Sequence, residues 1–305
     1  MSEAKEMRAE PQAPGPGRKP PWLKIHAPDP AALRAMERLV HGLGLHTVCE
    51  SALCPNQGEC FARGTATFLI LGSTCTRDCA FCGVPSGIPG EPDPREPESV
   101  AEAAFRLGLK HVVITSVTRD DLADGGASHY VATLRAVRAR LPEATVEVLT
   151  PDFCGEAWAL DLVLSERPEV FNHNVETVPR LYPVVRPQAD YERSLDVLRR
   201  AAATLGRLAS SGPTSLVKTG LMVGLGEREE EVLGVLSQVA EAGADVVTIG
   251  QYLRPSPAHL PVVEYVEPGK FAFYEEEGRA LGLRVHAGPL VRSSYRAEQD
   301  VAQFH

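Results

Sequence analysis

Six apolar segments rich in β-branched residues alternate with segments of helical periodicity in the middle of this chain. The apolar segments are residues 66–71, 111–117, 144–150, 169–175, 214–223 and 245–253. The helical segments are residues 98–108, 128–140, 191–205 and 227–242. Such alternation predicts parallel strands covered by helices, which is an α/β fold. Six units suit a barrel or a partial (β/α)6 TIM-like barrel, with its reactive side chains at the C-terminal ends of the strands.

Composition and charge exclude several other classes of protein. With 305 residues and 44% hydrophobic content, the chain can bury one large core or two small ones. A net charge of −9 without a basic block argues against nucleic-acid binding. Residues 1–20 mix charges with proline and glycine and contain no apolar run, so we expect neither a signal peptide nor a membrane anchor. We therefore predict a cytoplasmic protein with a flexible tail over residues 1–25.

Six of the seven cysteines fall within residues 49–82. Thiols of a chain without an export signal are expected to stay reduced, so this clustering indicates metal ligation and not disulfides. Cys154 stands apart and is expected to be a small, buried apolar residue.

The loop triad (Cys75, Cys79 and Cys82) follows the first predicted strand in the order Cys-x3-Cys-x2-Cys. Three thiolates on one tight loop can hold three irons of a [4Fe–4S] cube and leave the fourth iron open for a substrate or cofactor. A structural zinc site requires a fourth ligand, which this loop lacks. Zinc or inert thiols remain the alternative.

The N-terminal triad (Cys49, Cys54 and Cys60) follows a predicted helix over residues 31–41 and has the order Cys-x4-Cys-x5-Cys. Turn-forming residues between its members allow three thiolates to face one centre. It also lacks a fourth ligand nearby. Zinc completed by a distant histidine, such as His41 or His46, is the alternative.

The loop triad, with Phe81 before its last cysteine, resembles the signature of the radical S-adenosylmethionine (SAM) superfamily. Both triads, fourteen residues apart, together with Arg292-Ser293-Ser294-Tyr295, resemble the lipoyl synthase family over residues 39–296. The resemblance implies a radical SAM barrel over residues 66–285. Extensions over residues 26–65 and 286–305 would carry an auxiliary cluster.

The resemblance further implies two [4Fe–4S] clusters and SAM as cofactors. The loop triad would hold the cluster that cleaves SAM to a 5′-deoxyadenosyl radical. The N-terminal triad and Ser294, with Ser293 as the alternative, would hold the auxiliary cluster. Because an alkoxide is a harder ligand than a thiolate, we expect the serine corner to release its iron most easily. The implied reaction inserts two sulfur atoms from the auxiliary cluster at C6 and C8 of an octanoyl group.

The resemblance also implies cofactor contacts from the ends of later strands. Asn172, Asn174 and Glu176 alternate along a predicted strand, so their side chains would share one face. Arg186 could pair with a carboxylate. A charged loop with a helix N-cap at an aspartate or Ser128 is the alternative for the segment that begins at Thr118. The implied SAM contacts are Thr118, Arg119, Asp120, Asn172, Asn174, Glu176, Arg186, Lys218, Met222, Gln251 and Tyr252.

The implied partners are an octanoylated lipoyl carrier protein, which is a lipoyl domain or a glycine-cleavage H protein, an electron donor such as ferredoxin or flavodoxin, and an iron–sulfur carrier protein. No nucleic acid or membrane is expected. Arg292 and Arg296 are candidates for carrier docking. Two other functions remain open: a two-cluster methylthiotransferase acting on RNA or a ribosomal protein, and a zinc-stabilised binding module.

Overall fold

The computed structural model describes residues 17–24, 30–52, 54–62, 67–209, 215–295 and 297–302, so most of the predicted tail lies outside the described residues. An eight-stranded sheet forms the centre, with the strands hydrogen-bonded in chain order. The strands are β1 (His46–Thr47), β2 (Thr67–Ile70), β3 (His111–Ser116), β4 (Thr145–Leu149), β5 (Val170–Asn172), β6 (Leu216–Val223), β7 (Val246–Gln251) and β8 (Arg284–Gly288). Only the short β1 pairs antiparallel, with β2.

Helices follow most strands and cover the outer face of the sheet. They are α1 (Pro30–Gly42), α2 (Val48–Ser51), α3 (Gln57–Ala62), α4 (Glu96–Arg106), α5 (Ala127–Arg140), α6 (Ala157–Ser165), α7 (Tyr182–Val185), α8 (Tyr191–Ala209), α9 (Glu229–Glu241), α10 (Pro268–Ala280) and α11 (Glu298–Ala302). Because helices cover one face and the C-terminal segment enters the other, the strands are buried on both faces. The predicted α/β partial barrel is confirmed.

The structure differs from the predicted elements at three places. β8 adds a seventh parallel strand, which pairs with β7. Its inward residues, Arg284 and His286, are polar, so it lacks the apolar run that marks the other strands. The helices α6 and α10 were also missing from the sequence prediction. β5 ends at Asn172 and not at residue 175, and the chain turns at Glu176, where φ is 64°.

A buried polar layer crosses the inner face near the N-terminal ends of the strands. Lys218 on β6 donates to Glu147 on β4 at 3.3 Å and to Asp300 on α11 at 2.9 Å. Asn172 on β5 donates to the same Glu147 at 2.9 Å. Burial by itself lowers the pKa of Lys218, but the two carboxylates raise it above its ordinary value. The layer therefore holds α11 inside the sheet by charge.

The segment after β8 runs back along the concave face of the sheet, past two glycines on neighbouring strands. A Cβ at Gly250 would lie 2.2 Å from the carbonyl oxygen of Val291. A Cβ at Gly220 would lie 3.0 Å from the hydroxyl oxygen of Ser293. Glycine is required at residue 250 because the C-terminal segment approaches the backbone this closely. At Gly220 the nearest atom to such a Cβ is the hydroxyl oxygen of Thr248 on β7, at 2.5 Å. Among the described residues, no helix has the length and apolar character to cross a bilayer.

Candidate active site at the two ends of strand β2

The loop triad lies directly after β2, at the C-terminal end of the sheet. The thiol of Cys75 accepts hydrogen bonds from the backbone N–H of Arg77 at 3.4 Å and of Thr118 at 3.3 Å. Burial raises the pKa of Cys82 to about 12, the Val84 N–H acts against the rise, and the other two thiols add to it. The three thiols are therefore close enough to repel one another as thiolates, and they need a bound cationic centre to ionise together.

Three separate segments fix the triad loop. The hydroxyl and the N–H of Thr76 both donate to the carbonyl oxygen of Thr118, each at 3.0 Å. The Ala80 N–H donates to Val185 at 3.0 Å, and the Ala80 carbonyl accepts from the N–H of Leu260 at 3.1 Å. The loop geometry thus depends on contacts from β3, α7 and the chain after β7, far away in sequence.

Charged residues on the segment after β3 support the loop in different ways. The Asp120 N–H donates to the Thr76 hydroxyl at 3.1 Å, and its carboxylate accepts from Arg77 at 2.7 Å. Arg119, in contrast, is 2% exposed and pairs with Asp121 at 2.8 Å, so its guanidinium is already occupied. Asp124 accepts from the N–H groups of residues 126 and 128 at the start of α5. The N-cap residue itself is Gly126, and Asp124 supports the start of the helix from two residues before it.

Asn174, Glu176 and Arg186 meet near the loop triad. The Asn174 amide donates to Glu176 at 3.0 Å, and Arg186 donates to the Asn174 carbonyl oxygen at 3.0 Å. Burial raises the pKa of Cys79, and the charge of Arg186 lowers it. Arg186 Nε and His173 Nε2 are buried and have no hydrogen-bond partner in the described part of the chain. These unpaired polar atoms suit a polar ligand such as the amino-acid end of SAM.

The other predicted SAM contacts lie apart from this group. Lys218 and Asn172 belong to the buried polar layer, where the amino group of Lys218 and the amide N–H of Asn172 bind Glu147. The structure favours a structural role for Lys218, whereas the amide oxygen of Asn172 is buried and has no hydrogen-bond partner among the described residues. Gln251 accepts from the N–H of Val266 at 2.8 Å and bridges to the loop after β7. The hydroxyl of Tyr252 donates to the carbonyl of Leu260 at 2.9 Å.

Met222 and Phe81 pack around one apolar cluster that also includes Tyr252. This cluster lies beneath the Cys82 end of the loop, because Leu260 packs in it and binds the Ala80 carbonyl. Among the predicted contacts Asn172, Lys218, Met222, Gln251 and Tyr252, Met222 is the residue whose side chain forms no described hydrogen bond. It could contribute an apolar surface to a bound ligand.

Cys154 corrects the sequence expectation, because it is exposed and not buried. Its thiol lies 3.0 Å from the carboxylate of Asp120. The residue has a φ of 54° in the left-handed region, where the chain turns after β4. Its sulfur belongs to neither cysteine triad.

The N-terminal triad lines a cavity at the other end of β2, which we call the auxiliary cavity. Cys49 lies on α2, Cys54 precedes α3, and Cys60 lies on α3. The cavity has a volume of about 260 Å³, and Ser294 also lines it. Burial raises the pKa of Cys49 to about 12, the Thr67 N–H acts against this, and the two neighbouring thiols raise it further. Three thiols and a hydroxyl from opposite ends of the chain thus face one space.

The two serines of the Arg-Ser-Ser-Tyr motif point in different directions. The Ser294 hydroxyl accepts a hydrogen bond from Thr67 at 2.8 Å, at the first residue of β2. The Ser293 hydroxyl exchanges hydrogen bonds with Asn174 at 2.7 and 3.0 Å. Ser293 is absent from the cavity lining. The geometry therefore favours Ser294 over Ser293 as the fourth donor.

β2 separates the two cysteine triads. Thr67 at its start contacts the auxiliary cavity, and Ile70 at its end leads into the triad loop. Three residue steps along a strand span about 10 Å. The expectation that the reactive groups lie at the C-terminal ends of the strands holds for the loop triad and for Asn174 and Glu176, but not for the N-terminal triad. The N-terminal triad lies at the opposite end because α2 packs beside β1 and β2 and α3 packs against α1, before the barrel begins.

The donor sets suit iron–sulfur clusters. Within the described ranges, no three His, Cys, Asp or Glu side chains converge on a point where one metal ion would bind. Each triad instead offers three thiols around a wider space, with backbone N–H groups directed at the sulfurs of Cys49, Cys75 and Cys82. Hydrogen bonds of this kind to sulfur are typical of iron–sulfur sites and tune their potential.

Several residues of the site were missed in the sequence. Thr67, Arg77 and His173 support or face the two centres, but each is one polar residue in an ordinary strand or loop. Asp300 resembles any other charge in a polar C-terminal segment. A signal existed only for His173, which stands between two predicted contact residues on the same strand.

Comparison with known proteins agrees with this geometry. The sequence model of the radical SAM superfamily matches residues 69–239. The chain is 55% identical to the lipoyl synthase of Nitratidesulfovibrio vulgaris, over 92% of both chains. It is 53% identical to the lipoyl synthase of Rubrobacter xylanophilus, over 92% of this chain and 86% of that one. For the lipoyl synthase of Chlorobium limicola the identity is 51%, with coverage of 94% and 97%.

Solved structures resemble the fold at low sequence identity. Methylornithine synthase (PylB) superposes with a TM-score of 0.54 at 13% identity, covering 83% of this chain and 70% of that one. SuiB of Streptococcus suis, bound to S-adenosylmethionine, gives a TM-score of 0.56 at 10% identity, with coverage of 76% and 54%. These two show a shared barrel and no more. The full-length sequence matches decide the family: this chain belongs to the lipoyl synthases, which are radical SAM sulfurtransferases.

Proposed function

We propose that this protein inserts two sulfur atoms, at C6 and C8, into an octanoyl group attached to a lysine of a lipoyl carrier protein. The observation that carries this proposal is the position of Ser294. Its hydroxyl lines the same cavity as the N-terminal triad, while the loop triad lies at the other end of β2. A protein with a single radical centre has no need for this second set of donors.

The loop triad would hold one [4Fe–4S] cluster, and the N-terminal triad with Ser294 would hold a second. When bound, the first cluster supplies the electron that cleaves SAM to a 5′-deoxyadenosyl radical, and the second supplies sulfide. A radical is needed because no general acid or base can remove hydrogen from an unactivated carbon as a proton.

The residues of the chain bind and orient these groups. The N–H groups of Arg77 and Thr118 stabilise the Cys75 thiolate. The loop would supply three thiolates to a bound [4Fe–4S] cluster, which would leave one iron without a ligand from this loop and able to bind SAM. Arg186 lies near Cys79 and has an unpaired Nε, so it could pair with the carboxylate of SAM.

The hydroxyl of Ser294 would be the fourth ligand of the auxiliary cluster. Its only described hydrogen bond comes from the Thr67 hydroxyl, which orients the serine oxygen toward the cavity. An oxygen ligand among three sulfurs is the weak corner of such a site. A cluster that must give up sulfur benefits from an iron that can leave first.

We further propose that the substrate is a lipoyl domain or a glycine-cleavage H protein carrying the octanoyl group. A ferredoxin or flavodoxin would supply electrons, and an iron–sulfur carrier protein would rebuild the auxiliary cluster. The apolar octanoyl tail requires a path between the two triads, along the concave face beside β2.

The test uses reconstituted protein without oxygen, with a reductant, SAM and an octanoyl-lysyl peptide. Mass spectrometry of the peptide should show the lipoyl form, with two 5′-deoxyadenosines and two methionines per product. Deoxyadenosine without sulfur in the peptide would contradict the proposed function and leave the radical chemistry intact. Iron analysis should give about eight irons per chain, whereas a zinc-stabilised binding module would be colourless.

Ser294→Ala and Ser293→Ala form a matched pair for the serine assignment. We expect Ser294→Ala to lose sulfur insertion while it still cleaves SAM, because the loop triad is untouched. Ser293→Ala should retain the auxiliary cluster. Full sulfur insertion by Ser294→Ala would show that another residue supplies the fourth ligand.

A further inference from the structure

Arg292 has an unusual charge environment for an arginine in this protein. Its guanidinium lines the auxiliary cavity together with Cys54 and Ser294. Nη1 donates to the carbonyl oxygen of its neighbour Val291 at 2.6 Å. No carboxylate among the described residues forms an ion pair with it, in contrast to Arg77 and Arg119, which both pair with aspartates. The sequence expectation for Arg292 was carrier docking at the surface, whereas Arg296 lies outside the described residues.

The backbone of the barrel is shaped to admit this side chain. A Cβ at Gly250 would lie 3.1 Å from Nη1 of Arg292, as well as 2.2 Å from Val291 O. The arginine therefore reaches the cavity from the inner face of β7. It is two residues before Ser294, so the same short segment brings a cation and a hydroxyl to the three thiols.

The ligand set of the cavity carries a large negative charge when it binds a cluster. Three thiolates and one alkoxide contribute four negative charges, and an iron–sulfur core offsets only part of them. Cys49 is only 7% exposed, so its sulfur has little contact with water that could stabilise a negative charge. A buried anionic centre without a counter-charge is costly.

We propose that Arg292 is the counter-charge of the auxiliary site, where its guanidinium stabilises the anionic ligand set of the N-terminal triad and Ser294. This inference rests on the proposed function, because it requires that the triad binds a cluster. Arg292 is a positioning and electrostatic residue and not a ligand. Two other cavity-lining residues, Lys110 and His111, can carry positive charge, and Glu59 and Glu298 carry the opposite charge.

The sign of the effect distinguishes this role from ordinary packing. In the protein without clusters, Arg292 is a cation with no acidic partner, so Arg292→Gln should unfold at the same or a higher temperature than the wild type. In the loaded protein, the same change removes positive charge from an anionic centre. The auxiliary cluster should then become harder to reduce, because net charge is one determinant of cluster potential.

The experiment isolates the auxiliary cluster by changing the three loop cysteines to alanine. In that background we would compare Arg292→Gln, Arg292→Lys and Arg279→Gln, the last being a control at a residue 67% exposed in its side chain. Iron content, the rate of iron loss to a chelator, and an EPR redox titration are the measurements. We expect Arg292→Gln to lose iron at least several-fold faster and to show a more negative midpoint potential, and both other variants to behave as the parent.

Two results would overturn the inference. If Arg292→Gln has the same midpoint potential and the same rate of iron loss as its parent, the guanidinium does not stabilise the cluster. A lower unfolding temperature of cluster-free Arg292→Gln would show that Arg292 is a packing residue. If the triple alanine background binds no iron, the two-cluster proposal fails together with the role of Arg292, whereas the first two results leave the proposed function standing.

Discussion

Replacing Lys218 by methionine tests whether the buried polar layer is structural. Its amino group lies 3.3 Å from Glu147 and 2.9 Å from Asp300, and the three side chains are exposed by 1%, 0% and 2%. Methionine fills a similar volume but leaves two carboxylates buried without their cation. Removing one partner of a buried ion pair lowers the free energy of unfolding by about 3–5 kcal/mol. For a chain of 305 residues, that loss lowers the unfolding temperature by roughly 5–8 °C.

The assay is thermal unfolding of the cluster-free protein at neutral pH, followed by circular dichroism. Lys270→Met is the matched control, because Lys270 pairs with Glu229 on the surface and both side chains are at least 38% exposed. A surface pair of this kind contributes about 0–1 kcal/mol. Adding Glu147→Gln to Lys218→Met should restore part of the lost stability, since it removes one of the two uncompensated charges.

The sequence-based assignment of Lys218 to SAM makes the opposite prediction. A lysine whose role is to bind the cofactor contributes little to the stability of the cofactor-free protein. Its replacement should weaken SAM binding instead. The surface control should change the free energy of unfolding by no more than about 1 kcal/mol. If Lys218→Met also stays within about 1 kcal/mol of the wild-type value, the structural account of Lys218 is refuted.

Three further changes follow from single contacts. Burial raises the pKa of Asp300, but the hydrogen bond from His286 and the charge of Lys218 lower it overall to about 2. Its stabilising effect is therefore complete above pH 4 and is lost as the pH falls toward 2, so Asp300→Asn should flatten the pH dependence of urea unfolding in that range. Gly250→Ala should displace the segment at Val291 and with it Ser294, so the auxiliary cluster should be lost. Iron analysis of the reconstituted variant should then find about four irons instead of about eight. A value of about eight would contradict the close approach at Gly250. Cys154→Ser should keep the full iron content, because this exposed thiol is outside both triads, and a loss of iron would show that it contributes a ligand.

Local patterns in the sequence predicted most of the barrel. A strand buried on both faces is a continuous apolar run, and a covering helix repeats its apolar residues at helical spacing, so β2, β3 and β4 were found within one or two residues of their bounds. β8 was missed because its inward residues, Arg284 and His286, are polar and contact the C-terminal segment. Their partner, Asp300, lies outside any local window.

The same limit applies to the site. Cysteine spacing within one loop is local, so both triads could be identified from the sequence. The family resemblance implied that Lys218 and Asn172 contact the cofactor, and in the structure both contact Glu147, which is 71 and 25 residues away. No pattern within one strand distinguishes a ligand contact from an ion pair with another strand.

The sequence by itself determined the donors: two sets of three thiols, a serine pair near the end of the chain and the strand that leads into one triad. Only the tertiary structure decided which end of β2 each triad occupies, and which serine faces the thiols. Ser293 and Ser294 are the two central residues of a turn that is closed by a hydrogen bond from the Tyr295 N–H to the Arg292 carbonyl. The path of this turn past Gly220 and Gly250 directs Ser293 to Asn174 and Ser294 to the cavity. That path depends on contacts between residues more than two hundred positions apart, such as Thr67 with Ser294.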